Sequence, residues 1–389
     1  MKNLGLAQRT LTLKPSQIRE VAEAGMNIDG IIPLWFGESA WPTPQLGVDA
    51  AINALNNADH FYQPNSGKAT FRQAICDYQT TLLNKTFSPN RITVTASGMQ
   101  GLALVAQALI TTGDKVLAIE PTWPNVIEAF RISGAEVTTQ NLEVKNGKWS
   151  LNLDRFLAAL TPDIKAVVIN SPHNPTGWTM PELDMKAIFD HCQKLGIWIV
   201  ADDVYARLYK HANTAPSFLK WATDQDRVIS INSFSKAWSM TGWRLGWICA
   251  PKQLEQTLAM LSEFNIAGPA GFIQQAGATM LAQGEPEIAK LTSRLNAGYA
   301  IAETKLKAMQ GVDFIEPDGA FYCFFKVDGM TNSLTTAKNL LHITKVGTAP
   351  GAAFGPSGQG YLRICYAQPP EILSNALDKL AAGLAKAKV

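Results

Sequence analysis

The chain has 389 residues, of which 47% are hydrophobic and 17% charged, and its 34 Lys and Arg against 32 Asp and Glu leave a formal net charge of +2. This length exceeds what one hydrophobic core usually organises, so we expect two domains. The balanced charge argues against a nucleic-acid-binding protein and against one that binds membrane surfaces.

The five cysteines are scattered and form no CxxC pair, which favours buried reduced thiols over disulfides and predicts no metal site. The opening residues MKNLGLAQRTLTLKPSQ contain no continuous apolar run of the kind found in a secretory signal. No segment of the sequence approaches the roughly 18 apolar residues of a membrane helix. We therefore expect a cytoplasmic protein with neither a membrane nor a nucleic acid as partner.

The middle of the chain alternates short β-rich runs with helical patterns such as 101–112 and 181–196. The runs are RITVTA (91–96), KVLAIE (115–120), AEVTTQ (135–140), IKAVVIN (164–170), IWIVADD (197–203) and RVISINS (227–233). Strands that are apolar on both faces and joined by helices indicate a parallel sheet sandwiched by helices. RLGWICAP (244–251) follows too soon for a helical crossover, so we predict it as a seventh, antiparallel strand of this α/β sheet.

The pattern changes from about residue 252. A long helical stretch at about 285–310 precedes the short strand-like runs VDFIEP, FYCFFKV and YLRICYA and the terminal helices. This order is typical of a smaller α+β domain. We predict a large domain over 46–285, a small C-terminal domain over 286–389, and a segment 1–45 that forms an N-terminal arm and part of the small domain.

Ligands of doubly wound sheets bind outside the carboxyl ends of the strands, and polar residues follow several of the predicted strands. Ser97, Gly98 and Met99 form a turn that opens a helix, which suits a phosphate but is by itself a weak signal. Trp123 follows the next strand and could stack on an aromatic ligand or belong to the core. Asn174 lies in the loop SPHNPTG, which either displays its amide or is a plain polar turn.

Two adjacent carboxylates and a lysine follow the last parallel strands. Asp202 and Asp203 end an apolar run, and a buried carboxylate needs a cationic partner. Lys236 lies in apolar, aromatic surroundings in SINSFSKAWSMTGWRLGW, and Arg244 follows it. With Tyr205 and the loops above, these groups match a flat cofactor that carries a phosphate, a ring nitrogen, a phenolic oxygen and an aldehyde. That cofactor is pyridoxal 5'-phosphate.

These motifs closely resemble those of the class I/II aminotransferases, the fold type I pyridoxal-phosphate-dependent transferases. The resemblance runs from GESAWPTP (37–44) through SPHNPTG (171–177) and SFSKAWSMTGWRLG (233–246) to YLRICYA (361–367), nearly the whole chain. It implies a large domain with a mostly parallel seven-stranded sheet, a smaller α+β domain and a homodimer with shared active sites.

The resemblance also implies roles for individual residues. Lys236 would bind the cofactor aldehyde covalently and move the proton at the substrate Cα, and Asp202 would pair with the ring nitrogen. Tyr205 and Asn174 would hydrogen-bond the phenolic oxygen. The remaining implied cofactor-binding residues are Ser97, Gly98, Met99, Ser233 and Arg244 around the phosphate, Trp123 on the ring, and Tyr62 reaching the phosphate of the partner subunit.

The implied substrate site is formed by Arg363, which would clamp the α-carboxylate, with the Gly37 backbone, Trp123 and Asn174. Asp203 stands where the family commonly has glutamate, and we do not expect it to touch the cofactor. Met99 offers the phosphate loop only its backbone, where some relatives have a side-chain hydroxyl.

The implied reaction is transamination between an L-amino acid and a 2-oxo acid. A carbon–sulfur β-lyase with the same Lys236, Asp202 and Arg363 is the alternative, and release of pyruvate and ammonia from cystathionine without an oxo acid would favour it. Transcription regulators that use this fold as a sensor carry a DNA-binding domain upstream. We expect none, because GESAWPTP begins near residue 37.

The donor is predicted from the entrance residues. Trp35, Phe36 and Trp41 are apolar and aromatic, and neither Met99 nor the segment 265–277 supplies a cation for a second carboxylate. We therefore expect aromatic or large aliphatic donors to outpace aspartate, with glutamate and 2-oxoglutarate as the shared pair. The open alternative is that these aromatic residues are core or dimer contacts and that another cation supplies the charge.

Overall fold

The structure is a computed structural model that describes residues 5–386. The α-helices are, in chain order, α1 Gln8–Leu11, α2 Gln17–Gly25, α3 Gln45–Asn56, α4 Ala69–Leu83, α5 Gly98–Leu109, α6 Pro124–Ile132, α7 Leu153–Ala159, α8 Glu182–Leu195, α9 Glu255–Ile266, α10 Gly271–Gln283, α11 Glu285–Ala308, α12 Ser333–Thr344 and α13 Pro370–Lys386. The strands are β1 Ile32–Pro33, β2 Ile92–Thr95, β3 Lys115–Glu120, β4 Glu136–Asn141, β5 Glu143–Lys145, β6 Lys148–Ser150, β7 Ile164–Asn170, β8 Trp198–Asp202, β9 Val228–Ser233, β10 Gly246–Cys249, β11 Val312–Asp313, β12 Tyr322–Val327, β13 Val346–Gly347, β14 Ala349–Pro350 and β15 Tyr361–Cys365.

The largest sheet has seven strands in the order β2-β10-β9-β8-β7-β3-β4. Only β10 is antiparallel to its neighbours, and the other pairs are parallel. The connection over residues 234–245 explains this reversal, since it holds only a short 3-10 helix, Thr241–Trp243, whereas parallel neighbours are usually joined through an α-helix. The predicted seven-stranded, mostly parallel sheet is confirmed.

Both faces of this sheet are covered, as the apolar runs indicate. Along β7, Ala166 and Val168 belong to a hydrophobic cluster that includes Phe130 of α6. The alternate residues Val167 and Ile169 belong to a second cluster with residues of α7 and α8. Side chains alternate between the two faces of a strand, so one continuous apolar run supplies both cores.

A second sheet of four strands has the order β11-β12-β15-β14, and α11, α12 and α13 belong to the same part of the chain. This is the α+β unit expected after residue 252. The early strand β1 pairs in parallel with β13, through Ile32 with Val346. That pairing supports the assignment of part of 1–45 to the small domain, while the domain limits themselves stay a prediction.

The carboxyl ends of the central strands lie side by side in register. Asn170 at the end of β7 is paired with Asp202 at the end of β8, and Asp202 is paired with Ile231 of β9. Polar groups that are far apart in sequence therefore meet at one edge of the sheet. None of the helices within residues 5–386 combines the length and the apolar character that a membrane crossing needs.

A buried cation ties the start of α11 to the large sheet. Arg207 is 9% exposed and donates to both carboxylate oxygens of Glu285, at 2.6 and 2.7 Å. It also donates to the hydroxyl of Tyr78 on α4. Two parallel bonds to one carboxylate fix orientation as well as distance. This contact holds the first turn of α11 against α4 and against the segment that follows β8.

Replacing Glu285 with glutamine is expected to lower the free energy of unfolding by about 1–2 kcal/mol, because the buried Arg207 would keep only neutral partners. Urea denaturation measures the loss. Asp190→Asn is the control, since it breaks the exposed pair with Lys186 on α8 and should cost at most about 0.5 kcal/mol. Equal losses in the two variants would contradict the structural role of Glu285.

Candidate active site

A cavity of about 520 Å³ opens where β7, β8 and β9 end. Ser97 and Tyr62 do not line it. The cavity is lined by the other predicted site residues, namely Gly37, Gly98, Met99, Trp123, Asn174, Asp202, Tyr205, Ser233, Lys236, Arg244 and Arg363. The structure therefore brings together, from seven separate stretches of sequence, groups that were predicted to share one site.

Lys236 follows β9 through a tight turn in which the amide of Ser235 donates to the hydroxyl of Ser233 at 3.1 Å. The Lys236 Nζ donates to the carbonyl oxygen of Gly37 at 2.5 Å. Burial lowers the pKa of Lys236 to about 8, and the positive charge of Arg363 acts in the same direction. A larger share of the amine is therefore neutral, and hence nucleophilic, near neutral pH than for an exposed lysine.

Asp202 is the last residue of β8 and is 2% exposed. No Lys, Arg or His among residues 5–386 lies within salt-bridge distance of it, and its Oδ1 accepts only a long hydrogen bond, 3.4 Å, from the amide of Val204. Burial raises the pKa of Asp202 to about 7, and the neighbouring Asp203 adds to this. A cation in the cavity would pair with the carboxylate and restore its charge.

Asp203 faces away from the cavity. Its Oδ2 accepts hydrogen bonds from the hydroxyls of Ser230, at 2.6 Å, and Ser217, at 3.2 Å. Burial raises its pKa to about 6, but neutral hydroxyls already satisfy it. The two adjacent carboxylates thus differ in surroundings, and only Asp202 is free to meet a ligand. That Asp203 does not touch a cofactor stays a prediction.

The loop SPHNPTG is held to the end of the sheet by Asn170, a residue that the sequence did not single out. The Asn170 side chain donates to the carbonyl of Asp202 at 2.9 Å and accepts from the amide of Asn174 at 2.8 Å. His173 is buried beside Thr176, and burial lowers its pKa to about 3, so it is uncharged. His173 does not line the cavity.

Arg363 comes from β15 of the small sheet and is 2% exposed. Its Nη1 donates to the Oδ1 of Asn174 at 2.9 Å, and its Nη2 donates to the carbonyl of Trp35. Its Nε is buried without a hydrogen-bond partner, and no Asp or Glu within residues 5–386 forms a salt bridge with the guanidinium. A buried guanidinium that lacks an acid matches a carboxylate ligand.

The turn before α5 presents backbone donors to the cavity. Because α5 begins at Gly98, the N–H groups of Gly98 and Met99 have no carbonyl acceptor within the helix, and the helix dipole adds partial positive charge there. The Ser97 hydroxyl caps the helix by accepting from the amide of Gln100 at 3.0 Å. The predicted contact of Ser97 with a phosphate thus stays a prediction.

Arg244 brings a side-chain cation to the same end of the cavity. Its backbone has a φ of 56°, a left-handed conformation that is uncommon for a residue with a side chain. Its Nη1 donates to the carbonyl of Thr241 at 2.6 Å, and burial lowers its pKa. Within residues 5–386 no carboxylate pairs with it, so it can hold an anion.

The remaining predicted residues differ in position. The amide of Trp123 donates to the carbonyl of Asn174 at 3.0 Å, which holds the Trp123 backbone beside the cavity that this residue lines. Tyr62 is 92% exposed, and its predicted contact with a partner subunit stays a prediction. Trp35 and Phe36 line the cavity, but Trp41 does not. The Trp41 ring instead packs beneath the guanidinium of Arg294, so the expectation that it stands at the entrance is wrong.

Sequence reasoning missed residues that the tertiary structure adds to the cavity. Tyr322 of β12 and Arg19 of α2 both line it. Arg19 was hidden because α2 shows only an ordinary amphipathic pattern with a capping serine, Ser16. Tyr322 was hidden because FYCFFKV reads as any buried strand. No signal in the sequence places either element at the cavity.

Comparisons with known proteins agree with this geometry. A family model described as aminotransferase class I and II matches residues 31–380. The aspartate aminotransferase of Pyrococcus horikoshii is 31% identical over 383 residues, 97% of each chain. Aromatic-amino-acid aminotransferase 2 of Thermococcus litoralis is 28% identical and covers 99% of this chain and 100% of its own.

Solved structures show the same fold. The aspartate aminotransferase of Thermus thermophilus with maleate has a TM-score of 0.90 at 27% identity, over 97% of this chain and 99% of that chain. This likeness confirms the fold type I arrangement that the sequence predicted. The family model and the relatives together confirm the predicted enzyme class: the chain belongs to the class I and II aminotransferases.

Proposed function

We propose that this aminotransferase holds pyridoxal 5'-phosphate in the cavity, bound through Lys236. One observation carries the proposal: two buried side chains of opposite charge, Asp202 and Arg363, line the same cavity as a lysine of lowered pKa, and neither has an ionic partner within residues 5–386. A ring with a protonated nitrogen fits Asp202, and a substrate α-carboxylate fits Arg363.

When bound, the cofactor supplies an aldehyde that condenses with amines and a ring that withdraws electrons from the substrate Cα–H bond. Lys236 would bind the aldehyde carbon until a substrate amine replaces it there, and its released amine would then carry the proton between the substrate Cα and the cofactor. Asp202 keeps the proton on the ring nitrogen, which maintains the electron-withdrawing character of the ring. Tyr205 and Asn174 hydrogen-bond the phenolic oxygen.

The proposed position of the cofactor phosphate rests on a positive charge and on free hydrogen-bond donors. The amides of Gly98 and Met99, with Ser97 and Ser233 nearby, offer hydrogen bonds, and Arg244 supplies the balancing charge. Trp123 covers one face of the ring. These roles remain part of the proposal, and the positions of all these groups except Ser97 around one cavity support them.

Arg363 binds the α-carboxylate that amino acids and 2-oxo acids share, with Asn174, Trp123 and the Gly37 backbone beside it. One clamp therefore serves both half-reactions, as transamination requires. A carbon–sulfur lyase could use the same residues, but the comparisons give that alternative no support, because the relatives described above are named as aminotransferases.

Aromatic or large aliphatic amino acids are the proposed donors. Ile18, Trp35, Phe36 and Trp123 give the cavity an apolar wall, and Met99 offers no charge. A second carboxylate that meets this wall rather than the exposed Arg19 would be penalised by at least a few kcal/mol. The names of the relatives include both aspartate and aromatic amino acids, so they do not decide the donor.

Glutamate and 2-oxoglutarate are the proposed shared pair, and Arg19 is the proposed partner of their distal carboxylate. Arg19 lies at the start of α2, is exposed, and lines the cavity. An exposed side chain can turn toward a carboxylate or away from an aromatic ring at small cost, so one entrance could accept both classes.

A homodimer with shared sites is also proposed. Tyr62 and its neighbour Phe61 are 92% and 69% exposed, and Phe264 is 85% exposed. Their segments are joined by a hydrogen bond of 3.1 Å from Asn65 to Glu263, so the exposed rings lie in one region. Such a patch is typical of an association surface, and sedimentation velocity tests this proposal.

Lys236→Ala is expected to abolish transamination while pyridoxal phosphate still binds noncovalently, because the variant loses both the covalent link and the proton-transferring amine. Activity is measured with 2-oxoglutarate, and borohydride reduction followed by peptide mass analysis locates the attachment. Lys252→Ala, at an exposed position, is the control. Retention of a tenth of wild-type activity would identify another lysine as the reactive one.

Asp202→Asn is expected to lower kcat by about a hundredfold or more, because an amide does not hold the ring nitrogen protonated. Asp203→Asn is the matched control: it is equally buried and also has a raised pKa, but it does not line the cavity, so kcat should stay within about fivefold of wild type. A larger loss with Asp203→Asn than with Asp202→Asn would exchange the two roles.

The same variant has a pH signature without cofactor. The pKa of Asp202 rises from 3.8 to about 7 on folding, so the folded protein binds this proton more tightly than the unfolded chain does. The free energy of unfolding therefore falls as pH rises from about 4 to 7, because the unfolded chain releases this proton more readily than the folded protein does. The cofactor-free Asp202→Asn protein should gain stability relative to wild type between pH 4 and pH 8, as thermal unfolding would measure.

Phenylalanine is expected to exceed aspartate as donor by about a hundredfold in kcat/KM. Arg19→Ala should reduce kcat/KM for glutamate about fivefold and leave phenylalanine nearly unchanged. Arg9→Ala, an exposed arginine that does not line the cavity, is the control. If aspartate reacts fastest by a wide margin, the apolar wall does not set the donor preference. If Arg19→Ala leaves glutamate unaffected, the distal carboxylate is held elsewhere.

A further inference from the structure

The hydroxyls of two buried tyrosines meet inside the cavity. The Oη of Tyr205, in the segment after β8, lies 2.7 Å from the Oη of Tyr322, the first residue of β12 in the small sheet. Both side chains are at most 3% exposed, and both line the cavity. Tyr205 already has a role in the proposed function, whereas Tyr322 has none.

Tyr322 has little freedom to move. The guanidinium of Arg363 lies 4.4 Å from its ring centroid, and the Tyr205 ring packs edge-on against it at 5.7 Å. A methyl group added at Gly37 would lie 1.9 Å from the Tyr322 Oη, so the backbone there passes directly over the hydroxyl. A phenol packed from three sides holds its oxygen in one place.

Burial raises the pKa of both phenols, so both keep their protons at neutral pH. Two neutral hydroxyls in contact share one hydrogen bond, which leaves one proton to point elsewhere. We propose that Tyr322 is a positioning residue that donates its hydrogen bond to Tyr205, so that the Tyr205 hydroxyl proton points to the phenolic oxygen of the cofactor. This inference rests on the proposed function.

The consequence follows from cooperativity along the chain of hydroxyls. A hydroxyl that accepts a hydrogen bond becomes a stronger donor, so Tyr322 strengthens the bond from Tyr205 to the ring oxygen. Negative charge on that oxygen is then better stabilised. Lys236 is linked to the cofactor through a nitrogen that lies next to this oxygen. Because the oxygen is better stabilised, it attracts the proton on that nitrogen less strongly, and the pKa of the nitrogen falls.

Tyr322→Phe tests this, because it removes one oxygen and keeps the ring under Arg363. A spectrophotometric pH titration of the lysine-bound cofactor should show its pKa raised by roughly 0.3–0.7, and by less than in Tyr205→Phe. Tyr366→Phe is the matched control. Tyr366 is 1% exposed, its hydroxyl donates to the carbonyl of Ala320 at 3.1 Å, and it does not line the cavity, so the titration should not move.

The double variant separates an effect of Tyr322 that acts through Tyr205 from an effect of Tyr322 on the cofactor by any other route. In the Tyr205→Phe background, Tyr322→Phe should add no further shift. An unshifted Tyr322→Phe titration, or the same shift with and without Tyr205, would overturn the role of Tyr322 and leave the proposed function standing. Wild-type protein without any lysine-bound cofactor absorbance would instead overturn the proposed function, and this inference with it.

Discussion

The site depends on one electrostatic constraint: two buried charges that the protein itself leaves unpaired. Asp202 at the end of β8 and Arg363 on β15 are each 2% exposed and lack an ionic partner within residues 5–386. Burying a charge without a partner is expensive, so such an arrangement persists where a ligand supplies the missing partner. The two charges line one cavity, so a ligand there can neutralise both.

The contacts that hold the cavity together join the two sheets and the N-terminal segment. The hydroxyl of Tyr205 meets that of Tyr322, the side-chain oxygen Oδ1 of Asn174 accepts from Arg363, and Lys236 donates to the carbonyl of Gly37. Each contact joins a residue of the large-sheet region to one from the small sheet or the N-terminal segment. The relative position of the two parts therefore sets the geometry of these hydrogen bonds inside the cavity.

Two residues that look equivalent in the sequence have different hydrogen-bond partners in the structure. Asp202 and Asp203 are adjacent, equally acidic and both buried, yet the serines around Asp203 satisfy it, whereas the surroundings of Asp202 leave it free. The phosphate end shows the same division of labour. Ser97 uses its hydroxyl to cap α5, and the amides of the next two residues remain available. Neighbouring groups thus serve structure and function separately.

Apolar runs and strand-end motifs are local properties of the chain, and they predicted the seven-stranded sheet, its antiparallel strand and the cavity residues at the strand ends. The motif resemblance added the enzyme family and the cavity residues Gly37, Ser233 and Arg363. Which elements close the cavity became visible in the folded chain alone. Arg19 and Tyr322 lie in an ordinary helix and an ordinary strand, and Trp41 turned away toward Arg294, because these positions depend on packing between segments far apart in sequence. No local pattern encodes such packing, so it could not be read from the sequence.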